Sequence, residues 1–288
     1  MSRADVYLSV TNRMIEELEK DDVAPWRKPW VGGGPVNVRN GRPYRGINVF
    51  LLGLQHYGDP RWGTFKAVKE CGGMVRKGEK ATHVILWKPV AKNRPDQEEQ
   101  ERYLLLKTYP VFNADQCDGL PELETGEDVQ PLDQAEAIVT GYIGPTISTN
   151  GVGMAAYSET LDLVTMPPTP SFTSTEGYYS TLFHELVHST GHKDRLDRLE
   201  STGFGTGPYA KEELVAEMGA AMLCGVAGIE NLDQSASYVS GWLKRLQDDR
   251  KLVVQAAAQA QKACDLMLGT TFDEPSQDSE MEKEVVAA

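Results

Sequence analysis

Val6, Val10, Met14 and Leu18 recur every four residues with Ile15 beside them, which predicts an amphipathic first helix ending near Lys20. Ala24-Pro25-Trp26-Arg27-Lys28-Pro29-Trp30 and Gly32-Gly33-Gly34-Pro35 then interrupt any period and read as loop. Asn40-Gly41 marks a tight turn, while Pro43 argues against a regular hairpin around it. Helices are predicted from about Ile47 to Tyr57 and from about Thr64 to Cys71. Strands are predicted over Thr82 to Val90 and Tyr103 to Phe112, with a charged surface loop from Asn93 to Glu101 between them. Residues 121 to 131 are acidic and carry no apolar period, which predicts a linker.

Beyond that linker the pattern predicts a helix near Gln134 to Thr140 and short strands around Thr146 to Thr149 and Thr160 to Met166. After Pro167-Pro168-Thr169-Pro170 it is helical almost throughout, closing with an amphipathic helix from Leu252 to Leu268. The expected architecture is α+β: a small mixed domain over 1–120, a linker over 121–131, a second domain over 132–270 and a disordered acidic tail over 271–288. A length of 288 residues agrees with two domains of ordinary size.

Composition narrows the setting. No run approaches the roughly 18 apolar residues of a membrane helix, and the N-terminus lacks the apolar core of a secretory signal, so a cytoplasmic protein without a membrane partner is expected. Cys71, Cys117, Cys224 and Cys264 show no C-x-x-C spacing, which predicts reduced thiols. The net charge of −13 conceals a division: residues 1–112 hold 19 Lys and Arg against 13 Asp and Glu, whereas the remainder holds 10 against 29. Such asymmetry predicts different partners for the two halves.

The clearest chemistry is His184-Glu185-Leu186-Val187-His188. Positions i and i+4 share one face of a helix, so both imidazoles can face a single ion with Glu185 beside them to handle a proton. Such a pattern also arises by chance on surface helices. Here two of only five histidines fall at this spacing, in an apolar segment that Gly191 ends. Catalytic Zn2+ keeps three protein ligands and one open position. Glu213 is preferred as the third ligand, with Glu217 one turn later as a support that accepts a ligand histidine's N–H; Asp194 and, more weakly, His192 are rivals. The expected ion is Zn2+, with another divalent metal as the alternative. Peptide hydrolysis is the natural reaction, with Glu185 as general base and Tyr209 near enough in sequence to assist an oxyanion.

The basic half pairs rings with cations, the two ingredients with which single-stranded DNA is held. The candidates are Trp26, Arg27, Lys28, Trp30, Arg42, Tyr44, Arg45 and Arg61, with a basic turn of Arg76, Lys77 and Lys80. The competing reading of such residues is a packed ring and a solvated cationic face.

Several ordered blocks carry a resemblance. Ala24-Pro25-Trp26-Arg27-Lys28-Pro29-Trp30, Gly41-Arg42-Pro43-Tyr44-Arg45-Gly46-Ile47-Asn48, Pro60-Arg61-Trp62-Gly63-Thr64-Phe65 and Val75-Arg76-Lys77-Gly78-Glu79-Lys80 resemble the ArdC antirestriction proteins and the N-terminal region of TraC-type plasmid primases. Phe183-His184-Glu185-Leu186-Val187-His188-Ser189-Thr190-Gly191-His192 and Tyr209 to Glu217 are similar to the zincin-like domain of the same family. The resemblance implies a plasmid protein that binds single-stranded DNA without sequence preference and helps incoming DNA escape restriction. It also implies His184 and His188 as metal ligands and Glu185 as general base. Three functions compete: a DNA-guided metallopeptidase acting on a restriction enzyme or a DNA-bound protein, a strand-shielding protein with a structural metal, and an acidic decoy for restriction enzymes.

Overall fold

The structure is a computed structural model that describes residues 3–20, 34–92, 101–123, 131–149, 154–199, 207–229 and 236–271. The first helix, α1 (Arg3–Lys20), buries the predicted stripe of Val6, Val10, Met14 and Leu18. A four-stranded sheet follows in the order β1 (Val36–Asn37), β2 (Arg61–Gly63), β5 (Glu101–Asn113) and β4 (Thr82–Lys92), parallel at its first pair and antiparallel at the others. Asn40-Gly41 does turn, with Gly41 at φ 67°, but the arms meet only at the single bridge Val36 to Pro43. Pro43 lacks the N–H a ladder needs, and β1 pairs with β2 instead.

Two elements between these strands matter for function, α2 (Ile47–Gly53) and α3 (Phe65–Glu70), the latter capped by Thr64 Oγ1 accepting from the Ala67 N–H. The first predicted helix stops short of Tyr57 because His56 turns into the left-handed region at φ 55°; Tyr57 packs edge-on against Trp62. The hairpin strands run further than predicted, with Lys92 opposite Glu101. Once two strands are in register, backbone pairing is indifferent to the charge of the side chains. The remainder of the predicted loop, 93–100, lies outside the described residues, as do most of the linker, 124–130, and the tail beyond residue 271. A short pair, β3 (Met74–Val75) with β6 (Cys117–Asp118), closes this part.

The rest of the chain is helical around a small sheet. Helix α4 (Pro131–Gly141) leads into β7 (Thr146–Ser148), β8 (Ala156–Ser158) and β9 (Leu163–Thr165), ordered β7-β9-β8. At three residues with one aromatic side chain, β8 is too short for sequence periodicity to detect. Helices α5 (Thr175–Thr190), α6 (Gly207–Ala227), α7 (Ala236–Asp248) and α8 (Leu252–Met267) complete the fold. Helix α6 is apolar nearly all round, from Leu214 to Cys224, which requires burial on every side. It packs against α4, α5 and α8.

The principal core does not stop at the linker. Met14 of α1 and Phe50 of α2 share one buried cluster with Phe183, Leu214, Trp242 and Val253. Thr11 Oγ1 donates to the Arg250 carbonyl at 2.7 Å, the Gly46 N–H donates to Gln261 Oε1 at 2.8 Å, and Arg45 forks onto the Asp265 carboxylate. A smaller second core lies under the four-stranded sheet, formed by Tyr44, Leu52, Trp62, Val84, Leu86, Tyr109 and Val111. Among the described residues no helix is long and apolar enough to cross a membrane.

Candidate metal centre

Ser174 caps α5, its Oγ accepting from the Gly177 N–H at 3.0 Å, and the helix turns Leu182, Phe183, Leu186 and Val187 into the core. The i, i+4 spacing then leaves His184 and His188 half-buried on the side facing α6. The crossing is close because Gly219 of α6 lies against Val187; an added Cβ would come within 2.8 Å of Val187 Cγ2. Gly191 has the same kind of reason. Its φ of −80° is available to any residue, but a Cβ there would meet Leu199 at 2.8 Å, where the chain folds back over the helix end.

His184, His188 and Glu213 each offer one ligand atom, and these atoms lie within 4.8 Å of one another. The two Nε2 atoms are 3.1 Å apart, and the Glu213 carboxylate stands 3.7 Å from His184 Nε2 and 3.6 Å from His188 Nε2. The outer nitrogens face carboxylates too: His188 Nδ1 meets Glu212 Oε1 at 3.1 Å, and His184 Nδ1 faces Glu217 at 3.7 Å. Carboxylates on that side favour the Nδ1–H tautomer, so both Nε2 lone pairs converge on one point. Such lone pairs repel unless a proton or a cation stands between them. Two imidazoles and one carboxylate fit a divalent transition ion.

Burial works against a charged His188, yet Glu212, Glu213 and Glu185 outweigh it and lift its proton affinity above that of a free imidazole. Burial of Glu212 is likewise outweighed, by His188 and Arg198, which hold its carboxyl below the usual range. Arg198 forks onto Glu212 with two bonds of 2.9 Å and also donates to Thr190 Oγ1 at 2.6 Å, tying the end of α5 to α6. Glu185 is 8% exposed; burial raises its pKa, with His188 and the backbone of Tyr157 on β8 opposing that rise. The Tyr209 hydroxyl, pushed up to about 12 by burial and by its hydrogen bond to Glu213, buttresses that carboxylate from the start of α6.

The rivals for the third position stand elsewhere. Asp194 has a side chain 74% exposed, 3.5 Å from His192 Nδ1, and His192 is buried outside the cluster. Sequence reasoning overlooked Glu212 and Arg198. The available signal was a third acid on a helix that is otherwise apolar, which needs a buried partner.

The candidate DNA residues are distributed differently. Trp26, Arg27, Lys28 and Trp30 lie outside the described residues. Tyr44 is buried in the smaller core with its hydroxyl toward the Trp62 carbonyl. Arg45 is engaged by Asp265, Arg61 by Asp59 and the Pro121 carbonyl, and Arg76 by Asp118 and Glu79. Arg42, Lys77 and Lys80 are exposed.

Residues 4–112 match the model of the N-terminal domain of anti-restriction factor ArdC, and residues 133–259 match that of zincin-like metallopeptidases. The metal-free crystal structure of the antirestriction protein ArdC from plasmid R388 aligns with a TM-score of 0.77 at 42% identity, covering 93% of this chain and 100% of that one. This chain belongs to the ArdC family of antirestriction proteins. The Mn(II)-bound structure of the R388 protein aligns at a TM-score of 0.75, covering 91% of this chain and 97% of that one. Among curated relatives, a DNA primase TraC of Escherichia coli is 38% identical over 283 residues, 90% of this chain but 26% of the primase, so this chain spans about a quarter of that relative. The uncharacterised protein y4eC of Sinorhizobium fredii is 32% identical over 91% of each chain. The ArdC fold is therefore present along nearly all of this sequence, with a candidate divalent-metal site in its zincin-like half.

Proposed function

We propose that this chain is a plasmid-borne antirestriction protein that coats single-stranded DNA with its N-terminal half and holds a divalent cation at His184, His188 and Glu213. The observation that carries the metal reading is the convergence of those three donors, with Glu212 and Glu217 facing the outer ring nitrogens. The excess of cations over acids in residues 1–112 supports the DNA reading, as does the 42% identity to the R388 antirestriction protein. In this reading the cation braces α5 against α6 and protection comes from shielding the strand. The R388 relative is similar to this chain in both metal-free and Mn(II)-bound forms, which supports a site that takes up a divalent ion such as Mn(II).

A second reading rests on Glu185, which is buried beside the cluster with a raised pKa. A divalent ion there would supply a Lewis acid that polarises a carbonyl and acidifies a water. Glu185 would then accept the water proton and pass it to a leaving amine. The substrate would be a restriction enzyme or a protein bound to the strand.

Glu185→Gln separates the two. Shielding expects this variant to keep metal, strand affinity and protection of transferred DNA against restriction. Loss of protection with both bindings intact would reject shielding and favour peptide hydrolysis. Failure of the wild type to retain any divalent ion would remove both roles of the metal.

A further inference from the structure

Phe65 opens α3 directly after β2 and is 56% exposed, yet its position is tightly held. Its ring meets Phe112 edge-on, with centroids 6.5 Å apart and planes at 73°. Phe112 lies across the ladder from Gly63, two residues before Phe65. Gly63 has no slack, since a Cβ there would come within 2.5 Å of Val38 Cγ1. A single exposed ring is ordinary on a protein surface. A ring backed by a second ring on a tightly packed strand presents a fixed flat face.

In this half of the chain several acids are taken up by arginines. Asp59 is taken up by Arg61, Glu70 by Arg39, and Glu79 and Asp118 by Arg76. Lys66, Lys69, Lys77 and Lys80 form no ion pair with the described residues. Lys66 adjoins Phe65 in sequence and Lys69 follows it by one helical turn. Lys77 and Lys80 belong to the turn that enters β4, whose first residue, Thr82, pairs with Val111, the neighbour of Phe112.

We propose that Phe65, backed by Phe112, stacks a base of single-stranded DNA while Lys66, Lys69, Lys77 and Lys80 contact the adjacent phosphates. The proposal rests on the single-strand reading above and assigns it a site distinct from the arginines already engaged by acids. A single strand offers an open base face and closely spaced phosphates together. A duplex hides its base faces, and an acidic peptide has no use for the ring.

The test is fluorescence anisotropy with the full chain and a labelled thymidine 30-mer. Phe65→Ala should weaken binding about tenfold, the loss of one stacked base, and Phe65→Trp should restore it. Each of Lys69→Ala and Lys80→Ala should reduce the slope of log affinity against log salt by about 0.7. Because Lys69 and Lys80 are exposed, their variants should melt at the wild-type temperature, while Phe65→Ala, which loses the edge-on contact with Phe112, should melt only about 2–4 °C lower. Wild-type binding that Phe65→Ala leaves unchanged would overturn the site while leaving the single-strand reading in place. A wild type that binds no strand would overturn both. Polyglutamate binding that depends on Phe65 would overturn the proposal by assigning the platform to an acidic protein.

Discussion

The candidate metal centre and the basic half treat charge in opposite ways. Around His184 and His188, three carboxylates on one buried helix turn toward two imidazoles, and charge is concentrated where water is scarce. In the N-terminal half, Arg39, Arg45, Arg61 and Arg76 are each bound to an acid, while Lys66, Lys69, Lys77 and Lys80 form no ion pair with the described residues. Buried like charges cannot remain together without a counter-ion, so the first arrangement points to a ligand directly. Solvated cations are stable alone, so the second points to a ligand only once the paired charges have been subtracted.

The largest expected effect breaks the first half of that contrast. His184→Ala should leave the chain without bound zinc or manganese after loading and desalting, where the wild type keeps about one ion per chain by elemental analysis. Retention at the wild-type level would show that the ion sits elsewhere.

Next is Glu212→Gln. It keeps the shape of the side chain while removing the charge that orients His188, and should weaken metal affinity by about 10- to 100-fold in a chelator competition. The same measurement carries a pH signature. His188 holds its proton more tightly than a free imidazole, and an ion must displace that proton. Affinity should therefore rise with pH until the raised His188 pKa is passed and then level off. In the absence of metal the sign reverses. A raised folded-state pKa stabilises the fold below the unfolded imidazole value, and that contribution is lost as pH rises through the folded one.

A smaller effect tests the helix crossing. Gly219→Ala brings a Cβ within 2.8 Å of Val187, and overpacking of this kind costs about 1–3 kcal/mol. Part of this is offset by the roughly 1 kcal/mol that alanine contributes to helix propensity. The melting temperature should fall, and Val187→Ala in the same chain should recover part of the loss.

The smallest effect sharpens the second half of the contrast. A double-mutant cycle on Arg45 and Asp265 should give a coupling of about 0.5–1 kcal/mol in stability, because both side chains remain partly exposed. Strand affinity should change less with Arg45→Met than with Phe65→Ala.

Legibility in the sequence followed the range over which each feature is specified. The stripe of α1, the hairpin strands and the His184, Glu185, His188 face of α5 repeat at intervals shorter than two helical turns, and local sequence displays them. The pairing of β1 with β2 joins Val36 to Arg61, and no local pattern encodes it. The participation of α1 and α2 in the core of the second half was likewise hidden, because an apolar stripe shows that a helix is covered and not by what.

The amino-acid order by itself determined that two imidazoles share one helix face and that an apolar helix bearing acids follows, since the period of the backbone dictates both. Only the folded chain decided that Glu213 meets both rings, that Glu212 locked by Arg198 orients one of them, and that Arg45 faces Asp265 instead of solvent. Those outcomes depend on how closely α5 and α6 cross and on which acid lies near which cation. Distances across the fold settle such matters, and spacing along the chain does not carry them.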